Sequence, residues 1–494
     1  MLFNSVNFLI FFPVVVLIYF LMPKKVKYVW LLATSYFFYM CWNAKYALLL
    51  LWSTAITYLS GLLIDRCERR QGQESRKKIF VALSFALNLS ILFLFKYFDF
   101  AIENINYVLG KCHLELIVPK FDLLLPVGIS FYIFQALSYT MDVYRKDIYV
   151  ERNFLKYALF VSFFPQLVAG PIERSKNLLR QIGTGIPFSY ENFRRGLLLM
   201  LWGYFQKIVI ADRIALLVDT VYGNVDQYQG GYFLLASVLF AVQIYCDFSG
   251  YSMIAVGAAK VMGFELMENF DCPYFAKSVA EFWRRWHISL TSWFRDYLYI
   301  PLGGNRKGTV RKYLNIMVVF LVSGLWHGAQ WTYVIWGGLN GLFQVMGSML
   351  QPFRKKAGEL LQVKEDSFGH RFLKTAVTFV LVDVTWIFFR AESLRDALHI
   401  IKSMFTVYNP WIFVDHSIYD LGLNQKPFHL LMFSLAVLFA ADWLKYKKVD
   451  ILEKILEQNI WCRWSVYLTG ILFVLIFGVW GSSYEAQAFV YFQF

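Results

Sequence analysis

Long apolar runs alternate with short polar segments along the whole chain. A helix that crosses a bilayer needs about 20 mostly apolar residues, and about twelve runs approach that length. The pattern therefore predicts an all-α polytopic membrane protein with about eleven or twelve spans. Several runs are short or contain glycine, so we expect some to be re-entrant, which is tolerated only where the backbone is buried in protein or lines a watery cavity. The runs cover residues 3–22, 28–42, 46–64, 79–102, 126–144, 154–169, 196–222, 232–264, 313–334, 372–389, 428–444 and 465–480.

Basic residues concentrate in alternate loops. Three lysines follow the first run at 24–27, six basic residues follow the third at 66–78, and Arg145 and Lys146 follow the fifth. Because cytoplasmic loops carry the excess of Lys and Arg, we expect the N-terminus and the segment 103–125 to lie outside. The first run lacks a basic flank before it and a small-residue cleavage site, so it is predicted to remain as a span and not to be a cleaved signal peptide.

Composition narrows the class of protein. The 494 residues are 58% apolar and only 17% charged, against about a quarter charged in soluble domains. This excludes a soluble enzyme. No linker-like stretch divides the chain, so residues 1–494 are predicted to form one integral membrane domain, with N-terminal helices (1–125), a core that holds both key histidines (126–345) and C-terminal helices (346–494).

Charge and cysteine content argue against a nucleic-acid-binding protein and against a protein built around a metal site or disulfides. A formal charge of +14 is typical of cytoplasmic loops at a membrane, so nucleic acid is not an expected partner. The six cysteines lie far apart and form no C-x-x-C pair, so neither a metal site nor a disulfide framework is expected.

The segment 279–300 places large apolar side chains at helical spacing on one side and arginines on the other. This pattern predicts an amphipathic helix that lies at the membrane interface. It carries Arg284 and Arg285 and is followed by Arg306 and Lys307, which places it on the cytoplasmic side. These basic side chains suit either the phosphates of a nucleotide-bearing donor or lipid headgroups, and residue by residue the lipid interpretation is favoured.

His327 lies in the middle of an uncharged apolar run, LVSGLWHGAQWTYVIWGG. An ionisable side chain in such a place is costly and by default marks a functional site. Gly324 and Gly328 beside it allow a substrate or another backbone to approach closely. A neutral imidazole there can accept a proton from a hydroxyl group. The alternative is a polar side chain that is hydrogen-bonded between helices.

His287 shares the apolar side of the predicted interfacial helix with Trp283, Leu290 and Phe294. Two interpretations stay open. Position alone favours a buried packing residue, and the alternative is a group that faces a cavity. The other five histidines fall in loops or at the ends of runs, so they are expected to be solvated.

Three acids, Asp142, Asp247 and Asp383, fall inside apolar runs. In a transporter such acids bind coupling ions or protons. The alternative is that each caps a broken helix or bonds a neighbouring Ser, Thr or Tyr. For Asp247, the nearby Ser249 and Gly250 favour this local structural role.

Taken together, seven short motifs resemble those of the membrane-bound O-acyltransferase family, in particular its bacterial branch of alginate O-acetyltransferases. They cover most of the chain and follow the family's order. The motifs are PVGISFYIFQALSYTMDVYR (126–145), FFPQLVAGPIER (163–174), KIVIADR (207–213), IYCDFSGYS (244–252), FWRRWHISLTSWFRDYLYIPLGGNRKG (282–308), LVSGLWHGAQWTYVIWGGLNG (321–341) and TWIFFRAES (385–393).

The resemblance implies a ring of transmembrane helices around a central tunnel. It implies that His327, in GLWHG, is the catalytic residue and that His287, in RRWHIS, is a second functional residue. It also implies acetyl-CoA as a cytoplasmic donor substrate, with no bound cofactor and no metal. The residues expected to bind the donor or to line the tunnel are Trp286, Asn305, Trp326, Arg284 and Arg285.

On this resemblance we expect an enzyme of the bacterial inner membrane that O-acetylates an extracellular polysaccharide, such as alginate, with an SGNH-hydrolase-like protein as its extracytoplasmic partner. The same fold also supports D-alanyl transfer to teichoic acid or O-acetylation of peptidoglycan. A transporter or flippase is the alternative from a different class. It would require paired intramembrane acids and an inverted repeat, and the sequence displays no strong repeat.

Overall fold

The computed structural model describes residues 1–70, 73–117, 125–168 and 170–480. Every regular element among these residues is helical, as the sequence predicts. The chain divides into two compact units. Unit 1 comprises Met1–Met200 and Ser252–Met267, and unit 2 comprises Leu201–Tyr251 and Glu268–Phe494.

Unit 1 is built mainly from the first helices of the chain. These helices are α1 (Val6–Leu21), α2 (Lys27–Met40), α3 (Ala47–Arg69), α4 (Glu74–Leu92), α5 (Phe98–Lys111), α6 (Ile129–Tyr144), α7 (Phe154–Ser162), α8 (Phe164–Leu167), α9 (Ser175–Ile182) and α10 (Tyr190–Tyr204), whose last residues belong to unit 2.

Helix α3 packs against α4 and α6 through small and hydroxyl-bearing residues. Ser53 donates a hydrogen bond of 2.5 Å to Asn88 on α4, and Thr57 accepts one of 2.7 Å from Tyr157 on α7. A side chain at Gly61 would press into the ring of Tyr139 on α6. Small residues let helices approach closely where lipid gives no hydrophobic driving force between them, so this interface is typical of a membrane protein.

Unit 2 contains most of the remaining helices. These are α11 (Asp212–Tyr222), α12 (Gly231–Val261), whose last turns belong to unit 1, α13 (Val279–Arg285), α14 (Ile288–Phe294), α15 (Thr309–His327), α16 (Trp331–Met349), α17 (Gln351–Leu360), α18 (Phe368–Arg390), α19 (Leu394–Thr406), α20 (Gln425–Tyr446), α21 (Ile451–Leu456) and α22 (Ile460–Phe477). The π-helical stretches Phe205–Ala211 and Arg295–Tyr299 continue α10 and α14.

Six helical stretches of the described residues are long and apolar enough to cross a membrane. They make this a multi-pass membrane protein. Other predicted runs fall on shorter or interrupted helices, and the number of eleven or twelve spans stays a prediction. The six stretches are Ala44–Arg69, Glu74–Lys111, Gly231–Val261, Phe368–Arg390, Gln425–Tyr446 and Ile460–Phe477.

The predicted run 313–334 is not one helix, which corrects the sequence interpretation. Helix α15 ends at His327 because the backbone turns extended at Gly328, and α16 begins at Trp331. The two helices form an antiparallel hairpin with His327 at its tip.

The segment 279–300, predicted to form one interfacial helix, is also interrupted. The prediction of a continuous helix was therefore wrong. Helix α13 ends at Arg285, and His287 adopts a left-handed conformation with φ of 43° before α14 begins. Asn269 fixes the break, because its carbonyl oxygen accepts from the backbone N–H of Ile288 and its side chain accepts from that of Ser289.

Basic residues lie at the end of the α15–α16 hairpin that is opposite its tip. Four of them occupy 306–312, where α15 begins, and Arg354, Lys355 and Lys356 lie on α17, which follows α16. Because cytoplasmic loops carry the excess of Lys and Arg, the cytoplasmic placement of this end stays a prediction. His327 therefore lies towards the opposite end of its helix.

Candidate active site

His327 is buried at the C-terminal end of α15, with 4% of its surface exposed. Three aromatic side chains surround its ring. The ring centroids of Trp326 and Trp336 each lie 4.8 Å from that of the imidazole, and the Phe389 centroid lies 5.5 Å away. All three rings meet the imidazole nearly edge to face, so these contacts fix its position within an apolar wall.

Glycines on the two helices bring this wall together. An added Cβ at Gly324 would overlap the carbonyl oxygen of Tyr333, and one at Gly337 would overlap that of Phe320. The same Cβ at Gly337 would lie 3.2 Å from the Cα of Gly324. The helices can therefore approach closely only with glycine at these positions, and this approach places Trp336 against His327.

His287 lies in the same cluster of side chains and is 1% exposed. Its ring centroid is 4.5 Å from that of Phe248 on α12 and 6.2 Å from that of Trp326. Trp326 thus contacts both histidines, and the structure brings the two predicted site residues to one place.

Burial also sets the protonation of His287. Removal from water lowers the pKa of its imidazole from 6.5 to about 3, because the charged form loses its hydration. The ring is therefore neutral near pH 7. A pKa so far below the working pH makes it a weak base, which favours a role in positioning over one in proton abstraction.

The other predicted site residues are divided between the cluster and the surface. Trp286 is buried against Phe282 and Trp386, with ring centroids 5.4 Å and 5.1 Å away. Arg285 is engaged in ion pairs with Asp271 and Glu281 at 3.1 Å and 3.0 Å. Exposed Arg284 and Asn305 lie outside the cluster.

The turn that holds Asn305 is nonetheless fixed in place. The side chain of Asn315 on α15 donates a hydrogen bond of 2.9 Å to the carbonyl oxygen of Gly304. This contact anchors the turn at the basic end of the hairpin.

One of the intramembrane acids bonds a hydroxyl group, which agrees with the structural alternative considered for it. Asp142 accepts a hydrogen bond of 2.5 Å from Ser175.

Asp247 differs from its expected local role. Its carboxylate lies 2.5 Å from the Nζ atom of Lys207, and the same ammonium lies 2.7 Å from Asp212. The three side chains are almost fully buried. Sequence reasoning missed this triad, although Lys207 and Asp247 both lie in motifs singled out above. Because α12 carries Asp247 beside Phe248, the triad fixes the helix that supplies one wall of the His287 site.

The comparison with known proteins agrees with this architecture of bilayer-length helices. The chain belongs to the membrane-bound O-acyltransferase family, whose model matches residues 146–359. It is an O-acyltransferase and a multi-pass membrane protein.

Relatives with different acceptors share this family. The chain is 35% identical to a probable alginate O-acetylase of Pseudomonas putida over the full length of both proteins. It is 34% identical to a peptidoglycan O-acetyltransferase of Helicobacter pylori, over 82% of this chain and 80% of the relative. It is 27% identical to a teichoic acid D-alanyltransferase of Streptococcus thermophilus, over 53% of this chain and 68% of the relative.

Proposed function

We propose that the protein moves an acetyl group from a cytoplasmic thioester, acetyl-CoA, across the bacterial inner membrane for O-acetylation of an extracytoplasmic polysaccharide of the alginate type. The observation that carries the proposal is the position of His327. This residue is buried at the C-terminal end of α15, and the basic segment lies at the other end of the same helix. The full-length similarity to a probable alginate O-acetylase supports the choice of acyl group and acceptor.

In the proposed reaction His327 is the general base. It takes the proton of an acceptor hydroxyl while the hydroxyl oxygen attacks the thioester carbonyl carbon. The carbonyl electron pair moves to oxygen and forms a tetrahedral intermediate. Collapse of this intermediate breaks the carbon–sulfur bond, and the departing thiolate receives the proton from His327. The products are an O-acetyl ester and the free thiol.

The other site residues would act around this base. His287 and Trp326 position the acyl end of the donor in a central tunnel, and Trp286 lines the same wall. Asn305 lies at the basic end of the hairpin. Together with Arg284 and Arg285 it would meet the phosphates of the donor, although Arg285 is already bonded to two acids. Because only the acyl group crosses the membrane, neither the charged nucleotide nor the polymer enters lipid.

We further propose that transfer is completed outside the membrane with an SGNH-hydrolase-like partner protein. A hydroxyl group on such a protein or on the polymer itself can serve as the acceptor. Reconstitution of the purified enzyme with and without the partner distinguishes these two acceptors by which molecule first carries labelled acetyl.

The direct test replaces His327 by Ala and by Gln. We expect O-acetyl ester on secreted polymer to fall by at least about 10²-fold, because a positioned base contributes roughly 10²–10⁴ in rate. His370→Ala, at a half-buried histidine on α18, is the matched control and should leave acetylation unchanged. Unchanged acetylation in both His327 variants, with normal protein levels in the membrane, would contradict the proposal. Polymer export is measured in parallel, because lost export would favour a flippase.

Peptidoglycan O-acetylation and teichoic acid D-alanylation are the alternative functions. They are included in the tests because of the similarity to the relatives from Helicobacter pylori and Streptococcus thermophilus. Incubation of the purified protein with labelled acetyl-CoA and with an aminoacylated carrier protein separates the two donors. Assay of acetyl ester on isolated peptidoglycan and on secreted polysaccharide separates the acceptors.

A further inference from the structure

We infer that the hydroxyl group of Thr332 and the indole N–H of Trp336 form the oxyanion site that binds the acyl carbonyl oxygen at His327. The inference rests on the proposed acyl transfer and deepens it, because it assigns the groups that receive the developing negative charge.

Both side chains belong to the first turns of α16, directly after the hairpin tip. They are four residues apart, which places them on the same face of the helix. That face contacts the base, since the ring centroid of Trp336 is 4.8 Å from that of His327 and the two planes meet at 86°. Two potential donors therefore lie on the element that packs against the imidazole.

Both donors are buried and unused. Thr332 is 3% exposed and Trp336 is 0% exposed. Within the part of the chain that the structure describes, neither the Thr332 hydroxyl nor the Trp336 Nε1 atom has a hydrogen-bond partner. A buried polar group without a partner costs about 1–3 kcal/mol, so such a pair beside a candidate base calls for a functional explanation.

Three comparable side chains of unit 2 do find partners. The buried hydroxyls of Thr378 and Thr385 donate to backbone carbonyls of α18 at 2.8 Å and 2.7 Å. The indole of Trp283 donates to the side chain of Asn340 at 3.1 Å. Thr332, in the first turn of α16, lacks the preceding helical turn whose carbonyl a mid-helix threonine uses.

The chemistry of the proposed reaction requires such donors. Attack on the thioester carbonyl moves an electron pair onto its oxygen, and donors already aimed at this atom stabilise the transition state without reorganisation. An apolar, aromatic wall strengthens the effect, because little water competes for the charge. The glycine contacts of the α15–α16 hairpin hold donor and base in a fixed relation.

The first test compares Thr332→Val with Thr332→Ser in the purified full-length enzyme. The Val variant keeps the shape of the side chain and removes the hydroxyl, so we expect kcat to fall by about 10²-fold with KM for acetyl-CoA within about twofold. The Ser variant keeps the hydroxyl and should retain most of the activity. Thr385→Val removes a hydroxyl that donates to a backbone carbonyl, and it serves as the matched control with near-normal kcat.

The second test replaces Trp336 by Phe and, by codon suppression, by benzothienylalanine, in which sulfur replaces the indole N–H without loss of ring size. We expect both variants to lower kcat about 10²-fold. The melting temperature of the benzothienylalanine protein should not fall and should rise, because the cost of the unpaired buried N–H is removed. The inference is overturned if Thr332→Val and the benzothienylalanine protein keep kcat within twofold while His327→Ala abolishes turnover. Full activity of His327→Ala would instead overturn the proposed function on which the inference rests.

Discussion

Lys207 and Asp247 form an ion pair of 2.5 Å in which neither side chain is more than 2% exposed. Asp212 shares the same ammonium at 2.7 Å. One cation therefore compensates two buried carboxylates. Lys207 lies on the π-helical stretch that packs against α12. Breaking a buried pair by removing one partner typically costs about 3–5 kcal/mol, because the remaining charge stays buried without compensation.

Replacing Lys207 by Met should therefore destabilise the protein by about 3–5 kcal/mol and lower its yield in the membrane. Thermal unfolding of the detergent-purified protein measures the effect. Lys260→Met is the matched control, because Lys260 pairs with the exposed Glu265 and its loss should cost at most about 1 kcal/mol. Equal melting temperatures for the two variants would show that the triad does not hold the fold.

Replacing Gly337 by Ala should separate α15 from α16 and lower both stability and acyl transfer. The new methyl group would overlap the carbonyl oxygen of Phe320, and overpacking of this kind costs about 1–3 kcal/mol or more. Gly347 lies on the same helix with nothing within 4 Å of an added Cβ. Gly347→Ala should stabilise the protein by up to about 1 kcal/mol, since alanine is the better helix former. Melting temperatures that move in the same direction would contradict the packing argument.

Substitutions at His287 should separate backbone strain from side-chain function. Its φ of 43° lies in the left-handed region, which costs an ordinary residue about 1–2 kcal/mol and glycine almost nothing. We expect His287→Gly to be more stable than His287→Ala by about 1 kcal/mol in thermal unfolding, although both lack the imidazole. Both should lose acyl transfer to a similar extent if the ring itself positions the donor. Activity that instead follows stability would indicate a structural role alone.

The stability of unit 1 should depend on the protonation of Glu173, which is fully buried in the GPIER motif. Its carboxylate accepts hydrogen bonds from the backbone N–H of Met267 and from the side chain of Asn177. Burial nevertheless raises the pKa of this carboxyl from 4.5 to about 7. Between pH 4.5 and about 7, the folded protein therefore keeps a proton on Glu173 that the unfolded chain releases.

Because the native state binds this proton more tightly, its contribution to stability is complete below pH 4.5 and is lost as the pH rises to about 7. At about 1.4 kcal/mol per pKa unit, the loss amounts to about 3 kcal/mol. Glu173→Gln should flatten the dependence of the melting temperature on pH across this window. The same slope in the Gln variant would assign the pH dependence to other groups. The exposed Glu191 provides a matched Gln control.

Local pattern was sufficient to predict the helical membrane fold, and it singled out two histidines whose role in the reaction stays a prediction. Hydrophobic runs report the length and composition of a helix, and His327 and His287 stand out because an imidazole is costly in apolar surroundings. The burial of both side chains agrees with the interpretation that they are not solvated. Their placement around one tryptophan could not be predicted, because it depends on contacts between helices that are distant in sequence.

The same limit explains the two interrupted helices. A helical periodicity assumes a continuous helix, and it continues through Trp286 and His287 although the backbone reverses hand there. The residue that fixes this break, Asn269, lies 20 residues before Ser289 and is not visible in a local pattern. Lys207 was likewise missed because the acids that pair with it give no periodic signal.

The glycine contacts of the α15–α16 hairpin have a consequence for second-site suppression. Gly324 and Gly337 each face a carbonyl oxygen of the opposite helix, and every amino acid carries that oxygen. A larger residue at either glycine therefore cannot be rescued by trimming the side chain of Tyr333 or Phe320. Revertants selected for restored transfer should recover glycine itself or shift a whole helix.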